Sequence, residues 1–138
     1  MNLPSTITDN ITELLIKIIE FTQARQKILT QNINNIDSFG FEPKDLEVDE
    51  FSELLHNAIS EHTRSQRLVL CDTKNIKFGT AGNFDVTPII DKYSKELLEE
   101  NRDEYLELQI NKLLENSLNQ RVAAELLKQK RGMASIFE

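Results

Sequence analysis

A chain of 138 residues is long enough for one domain, and 39% apolar residues with no Trp and only four Gly suit helices with narrow apolar stripes better than a sandwich or doubly wound sheet. A net charge of −7 argues against broad binding to nucleic acid or to anionic membranes, since both require a basic surface. No apolar run is long enough to insert into a bilayer.

Asn10 followed by Glu13 predicts a helix start, because an Asn side chain accepts from free backbone N–H groups and the carboxylate opposes the helix dipole. Ile11, Leu14, Ile18, Phe21 and Ile28 then recur at helical spacing as a packing face, widened by Leu15, Leu29 and Ile33. Arg25 and Asn32 fall on the same seam, where polar residues fix alignment with a partner helix. The helix should stop between Asn34 and Gly40, with Pro43 confirming the break. An acidic stretch, 42–50, precedes a short helix expected to be capped by Asp49 and to present Phe51, Leu54, Leu55, Ala58 and Ile59 on one side.

Residues 60–86 read as a loop with one short strand. Thr87 and Pro88 predict the next helix entry, with Ile89, Ile90, Tyr93 and Leu97 facing inward. The pattern bends or breaks across the acidic Glu99–Glu104. Leu106, Ile110, Leu113, Leu114, Leu118, Val122 and Leu126 then form a second long stripe, expected to be buried against the N-terminal helix or a neighbouring molecule. Lys128, Lys130 and Arg131 suit its last turns and Gly132 its stop. The expected fold is mainly α, with long N- and C-terminal helices pairing as a coiled-coil-like bundle around a short irregular insert. The parts are 1–41 (helix and Asn-rich turn), 42–86 (middle insert) and 87–138 (C-terminal helical region), forming one structural unit.

The segment Gln31-Asn32-Ile33-Asn34-Asn35-Ile36-Asp37-Ser38-Phe39-Gly40-Phe41 resembles the signature N-I-A-N-x-x-T-P-G-Y/F of flagellar rod and hook axial proteins. Asn32, Ile33, Asn35, Gly40 and Phe41 match, Ser38 stands in for Thr, and Asn34 and Phe39 replace Ala and Pro. Leu68–Ile76 and the run from Glu115 to Met133 are similar to segments of the proximal-rod proteins of the FlgB type. That family's glycine-asparagine motif has no clear counterpart, since Gly82-Asn83 lies about one helix too early, and residues 84–100 read as an insertion or divergent stretch.

The resemblance implies a structural subunit of the bacterial flagellar basal body, in the periplasmic rod. Such a subunit is exported through the flagellar type III apparatus without a cleaved signal peptide. Its implied partners are other rod proteins, the export-gate adaptor and further copies of itself. The family-motif turn would comprise Asn32, Asn35, Ser38, Gly40 and Phe41. The assembly stripes would be Ile11, Leu14, Ile18, Phe21 and Ile28 on one helix and Leu114, Leu118, Val122 and Leu126 on the other.

The residues alone name no catalytic, metal or cofactor site. His56 and His62 lie six apart, on different faces of a helix, and read as surface histidines. Cys71 has no partner for an internal disulfide. Gly79, Gly82 and Asn83 make a turn rather than a phosphate loop. Glu99, Glu100, Asp103, Glu104 and Glu107 read as a solvated helix face, lacking the alternating ligands of a calcium loop. The expectation is therefore a non-enzyme. A soluble helical adaptor or type III export chaperone is the alternative to a rod subunit.

Overall fold

The computed structural model describes residues 3–79 and 83–136, with side chains described for 10–79 and 83–132. Four helices and four two-residue strands follow in the order α1 (Leu3–Asn34), β1 (Lys44–Asp45), α2 (Val48–Ser65), β2 (Ile76–Lys77), β3 (Asp85–Val86), β4 (Ile89–Ile90), α3 (Lys92–Glu100) and α4 (Arg102–Ile136). The strands form two antiparallel pairs, β1 with β4 and β2 with β3. The long terminal helices α1 and α4 pack against each other, as the paired stripes predict.

Helix α1 lies at the centre. On one side it meets α4 in the antiparallel sense: Asn32 lies near Tyr105, Thr22 near Asn116, and Leu15 packs with Ala123 and Leu127. On the other side it carries α2, also antiparallel, with Phe21 stacked on Phe51 at 3.9 Å between ring centroids and Asn10 bonded to His62. The main apolar cluster, Phe21, Leu46, Phe51, Ile76 and Phe78, therefore sits between α1, α2 and the strand-bearing loop. Ring pairs among Phe51, Phe78 and Phe84 extend it, and such contacts add to simple area burial. Lys17 is buried where the loop crosses α1. Its ammonium lies 3.5 Å from Glu13, 3.4 Å from Glu20 and 3.5 Å from the Phe78 carbonyl, with the Phe84 ring centroid at 5.4 Å.

Several boundaries differ from the sequence reading for local reasons. Helix α1 is already helical at Leu3, because Pro4 falls in its first turn, where a missing N–H costs nothing; Asn10 is interior and donates to the Gln66 carbonyl instead of capping. Asp49 lies within the first turn of α2, and Glu47 is the N-cap residue, without a side-chain cap bond. The helix runs on to Ser65 and ends with Gln66 in the left-handed region. Phe51 and Ala58 are buried as expected, whereas Ile59 is exposed. Two strands occur after α2 where one was expected before Thr87, and Pro88 precedes β4 rather than a helix. The Asp91 N–H donates to the Pro43 carbonyl at 3.0 Å, which holds Ile89 and Ile90 extended beside β1. Helix α3 then starts one turn later with Asp91 as its cap, so Ile89, Ile90 and Tyr93 are exposed and only Leu97 is half-buried.

The break between the last two helices falls at Asn101, whose side chain accepts from the Glu104 N–H, within the acidic stretch where it was expected. Gly132 does not stop α4, which continues to Ile136. Among the described residues two glycines have left-handed backbone, Gly40 at φ +72° and Gly79 at φ +61°. A Cβ on Gly40 would meet nothing within 4 Å, whereas one on Gly79 would lie 2.6 Å from the Asn83 carbonyl oxygen. Gly40→Ala should therefore cost only the backbone strain of about 1 kcal/mol, and Gly79→Ala should cost clearly more. Urea unfolding of the two variants checks that order, and equal losses would contradict it.

Candidate functional site: a polar seam and an exposed apolar ridge

The face that α4 turns toward α1 is largely polar. Tyr105, Gln109, Lys112 and Asn116 follow one another at steps of four, three and four, and Ala123 and Leu127 continue the line. Their partners form a nearly continuous network. Arg25 donates twice to the Asp45 carboxylate, at 2.9 and 3.0 Å, and the Lys112 ammonium bridges Asp45 at 3.0 Å and Asp91 at 2.7 Å. The Ser94 hydroxyl donates to Asp91 at 2.6 Å and accepts from the Gln109 amide at 2.9 Å. The Gln109 carbonyl oxygen in turn accepts from Asn32 at 2.9 Å.

Asn32, only 2% exposed, is the far anchor of this seam. Its amide donates to the Lys44 carbonyl at 2.7 Å, its oxygen accepts from the Lys44 N–H at 3.0 Å, and its own carbonyl accepts from the Tyr105 hydroxyl at 2.7 Å. One side chain thus fixes the end of α1 to β1 and to α4. Further along, the Asn116 amide donates to the Thr22 carbonyl at 2.7 Å. Among the described residues no buried side-chain nitrogen or oxygen of this seam lacks a partner, the condition under which a polar core rigidifies rather than destabilises.

The charges respond accordingly. Burial alone would raise the Asp45 carboxyl, but the hydrogen bonds and charges of Arg25 and Lys112 outweigh it and hold the group below its ordinary value. Asp91 is likewise lowered: burial pushes it up, and hydrogen bonds from Lys112 and Ser94 more than reverse that. Lys112 is raised, because its two carboxylates overcome the cost of burial. Burial, with the Asp91 charge second, pushes the Tyr105 hydroxyl up to about 12, so it remains a donor to Asn32.

The apolar stripe of α4 lies elsewhere. Leu114 and Leu118 are each 61% exposed, and Ile110, Val122 and Leu126 are exposed with them. The expectation was burial against the N-terminal helix or a neighbouring molecule, and the first of these is corrected. Within the chain Ile110, Leu114 and Leu118 face away from α1, while Val122 and Leu126, though exposed, border an open groove floored by α1. A strict four-residue step slips by about 40° per step on an α-helix, so a ridge of five such residues winds about 160° around α4 and cannot follow one straight neighbour. The mixed three- and four-residue step of the polar positions can. On α1 the stripe does face inward, with Leu14 and Phe21 buried and Ile11, Ile18 and Ile28 half-buried.

No family model, curated protein or solved structure matches the chain. The turn positions singled out from the sequence separate into one buried anchor and a solvent-facing reversal. Asn35 and Ser38 are exposed, the Ser38 N–H donates to the Asn35 carbonyl at 3.0 Å, and the Phe41 N–H donates to the Ser38 carbonyl at 3.1 Å. Gly40 supplies the left-handed residue and Phe41 is half-buried. Asp37 ties the reversal to the start of α4 through Arg102 at 2.7 Å.

Arg25 and Asn32 both find their partners within the chain. Gln109, Lys112, Asn116, Asp45, Asp91 and Ser94 were not read from the sequence. The usable signals were the heptad-like step of Tyr105, Gln109, Lys112 and Asn116 and the Asp91-x-x-Ser94 cap. His62 is half-buried against Asn10, and His56 is exposed. Among the described residues no three His, Cys, Asp or Glu side chains converge to hold a metal, and no helix is long and apolar enough to cross a membrane.

Proposed function

We infer that the chain is a structural subunit of the bacterial flagellar basal-body rod, joining other rod proteins and further copies of itself through its terminal helices. The observation that carries this reading is the outward apolar ridge of α4. A chain whose terminal helices already hold each other, largely through polar contacts, keeps the apolar ridge of α4 for something outside itself. An exposed contiguous ridge of this kind marks an interaction surface. The Asn32–Phe41 segment adds the resemblance to the axial signature, and its anchor Asn32 sets the exit angle of α1.

On this reading the protein is not an enzyme. It is exported without a cleaved signal, meets the export-gate adaptor and resides in the periplasmic rod. A second reading, an adaptor or export chaperone, draws on the groove of about 320 Å³ that α1, α2 and α4 leave open, lined by Ile18, Phe21, Phe51, Leu55, Val122 and Leu126 among others. Such a groove suits a guest helix.

Deletion of the gene, scored for swimming and for the protein in purified hook–basal bodies, tests the choice. The rod reading expects non-motile cells without filaments and the chain retained in basal bodies. Swimming deletion cells would contradict it, and so would a chain found only in the cytosol with export substrates, the outcome the adaptor reading expects.

A further inference from the structure

The molecule carries a protruding apolar ridge and a concave apolar groove on different parts of its surface. The ridge comprises Ile110, Leu114 and Leu118, on the back of α4 away from α1. The groove lies between α2 and α4, floored by α1, with Leu15, Ile18 and Phe21 below and Val48, Leu55 and Leu126 at its sides. We propose that the groove receives the α4 ridge of a second copy of this chain, a ridge-into-groove contact that leaves one free groove and one free ridge on every pair. A contact between two different patches does not close on itself unless its rotation happens to close a ring, so it propagates.

Charge selects this occupant and its direction. Helices α2 and α4 both run antiparallel to α1 and so flank the groove in the same sense. One end of the groove is acidic, with Glu47, Asp49 and Glu50 at the start of α2. The other end is mixed but net positive, with Lys128, Lys130 and Arg131 on α4 and Arg64 and Arg67 at the close of α2 against Glu61 and Glu125. Helix α4 itself begins acidic, at Asp103, Glu104 and Glu107, and turns basic at Lys128, Lys130 and Arg131. Laid antiparallel to its walls, an incoming α4 sets its basic end over the acidic end of the groove and its acidic end over the basic one. Laid parallel, it would set like on like. Complementary charge of this kind fixes register and direction more than affinity, while the ridge supplies the apolar contact of a helix in a groove. The proposal rests on the self-association of the rod reading and adds its geometry.

Two double variants, confined to exposed side chains, separate the halves of the contact. Leu114→Asp/Leu118→Asp spoils the ridge, and Ser52→Glu/Asn119→Glu charges the mouth of the groove from both walls. In sedimentation velocity the unaltered chain should associate beyond dimers with rising concentration, each double variant alone should weaken association by about tenfold or more, and an equal mixture should form a dimer that grows no further. A mixture that stays monomeric overturns the proposal. So does an unaltered chain that stays monomeric, or a groove variant that associates like the unaltered chain, since the ridge would then be meeting another ridge. If mixing restores the dimer while cells lacking the gene swim, the rod assignment fails and the contact stands. If the unaltered chain stays monomeric alone yet is retained in basal bodies, the contact fails and the assignment stands.

Discussion

Replacing Asp45 with alanine will destabilise the fold by roughly 3 to 5 kcal/mol, the usual cost of leaving one half of a buried ion pair behind. The Arg25 side chain is only 8% exposed and its fork is closed on both oxygens of this carboxylate, one of which, Oδ2, also accepts from Lys112. A double replacement, Arg25→Met with Asp45→Leu, should recover much of the loss, because it removes the stranded charge along with its partner. Urea denaturation of the single and double variants measures both. A single variant within 1 kcal/mol of the parent, on the order of an exposed pair, would show that the seam does not hold the helices.

The same groups set the pH range of the fold. The folded Asp45 and Asp91 carboxyls lie below their unfolded values, so their contribution is complete above the unfolded carboxyl pKa of about 4 and is lost as pH falls through the folded values. Lys112 and Tyr105 are raised in the folded chain, so their contribution is complete below about pH 10 and is lost as pH rises through the folded values, for Tyr105 about 12. Stability in the parent should therefore form a plateau between these limits. In Asp45→Ala the acid edge of that plateau should be shallower, leaving Asp91 as the remaining lowered carboxyl of the seam.

Asn32→Ala should cost roughly 3 kcal/mol, since each buried partner left unpaired costs about 1 to 3 kcal/mol and the Lys44 segment regains some water. The groups it strands are the Lys44 N–H and carbonyl and the Gln109 carbonyl oxygen. The effect should be local as well as global: hydrogen exchange should quicken first at residues 35–45, where the turn loses its anchor. Unchanged exchange there would mean that the reversal is held by Gly40 and the Asp37–Arg102 pair without Asn32.

The long helices and their pairing were legible because apolar periodicity is a strong signal over thirty residues. On α1 the legible face was also the packing face, since Leu14 and Phe21 sit at mixed steps of three and four. On α4 the loudest signal, the ladder from Ile110 to Leu126, ran along the outer face at Ile110, Leu114 and Leu118 and wound to the rim of the groove at Val122 and Leu126. The inner face was written in Tyr105, Gln109, Lys112 and Asn116, which hydropathy scores as solvent-facing. Their burial follows from tertiary hydrogen bonds to Asn32, Ser94, Asp91 and Thr22 that no local window contains. Pro88 misled for a similar reason: helix entry and strand entry both accept proline, and pairing with β1 decided between them. Of the candidate site, Asn32 and Arg25 were recognised as seam residues, but their partners lie up to 77 residues away.

The central claim is that α1 and α4 hold each other through the polar seam while the apolar ridge of α4 serves contacts outside the chain. The most direct measurement is the unfolding free energy of Leu114→Asp/Leu118→Asp in dilute solution. With both leucines 61% exposed, the account predicts a loss of about 1 kcal/mol or less, the helix-propensity difference of two such substitutions. A loss of about 4 kcal/mol or more, the size expected for charging a buried stripe, would place the ridge inside the fold and contradict the account.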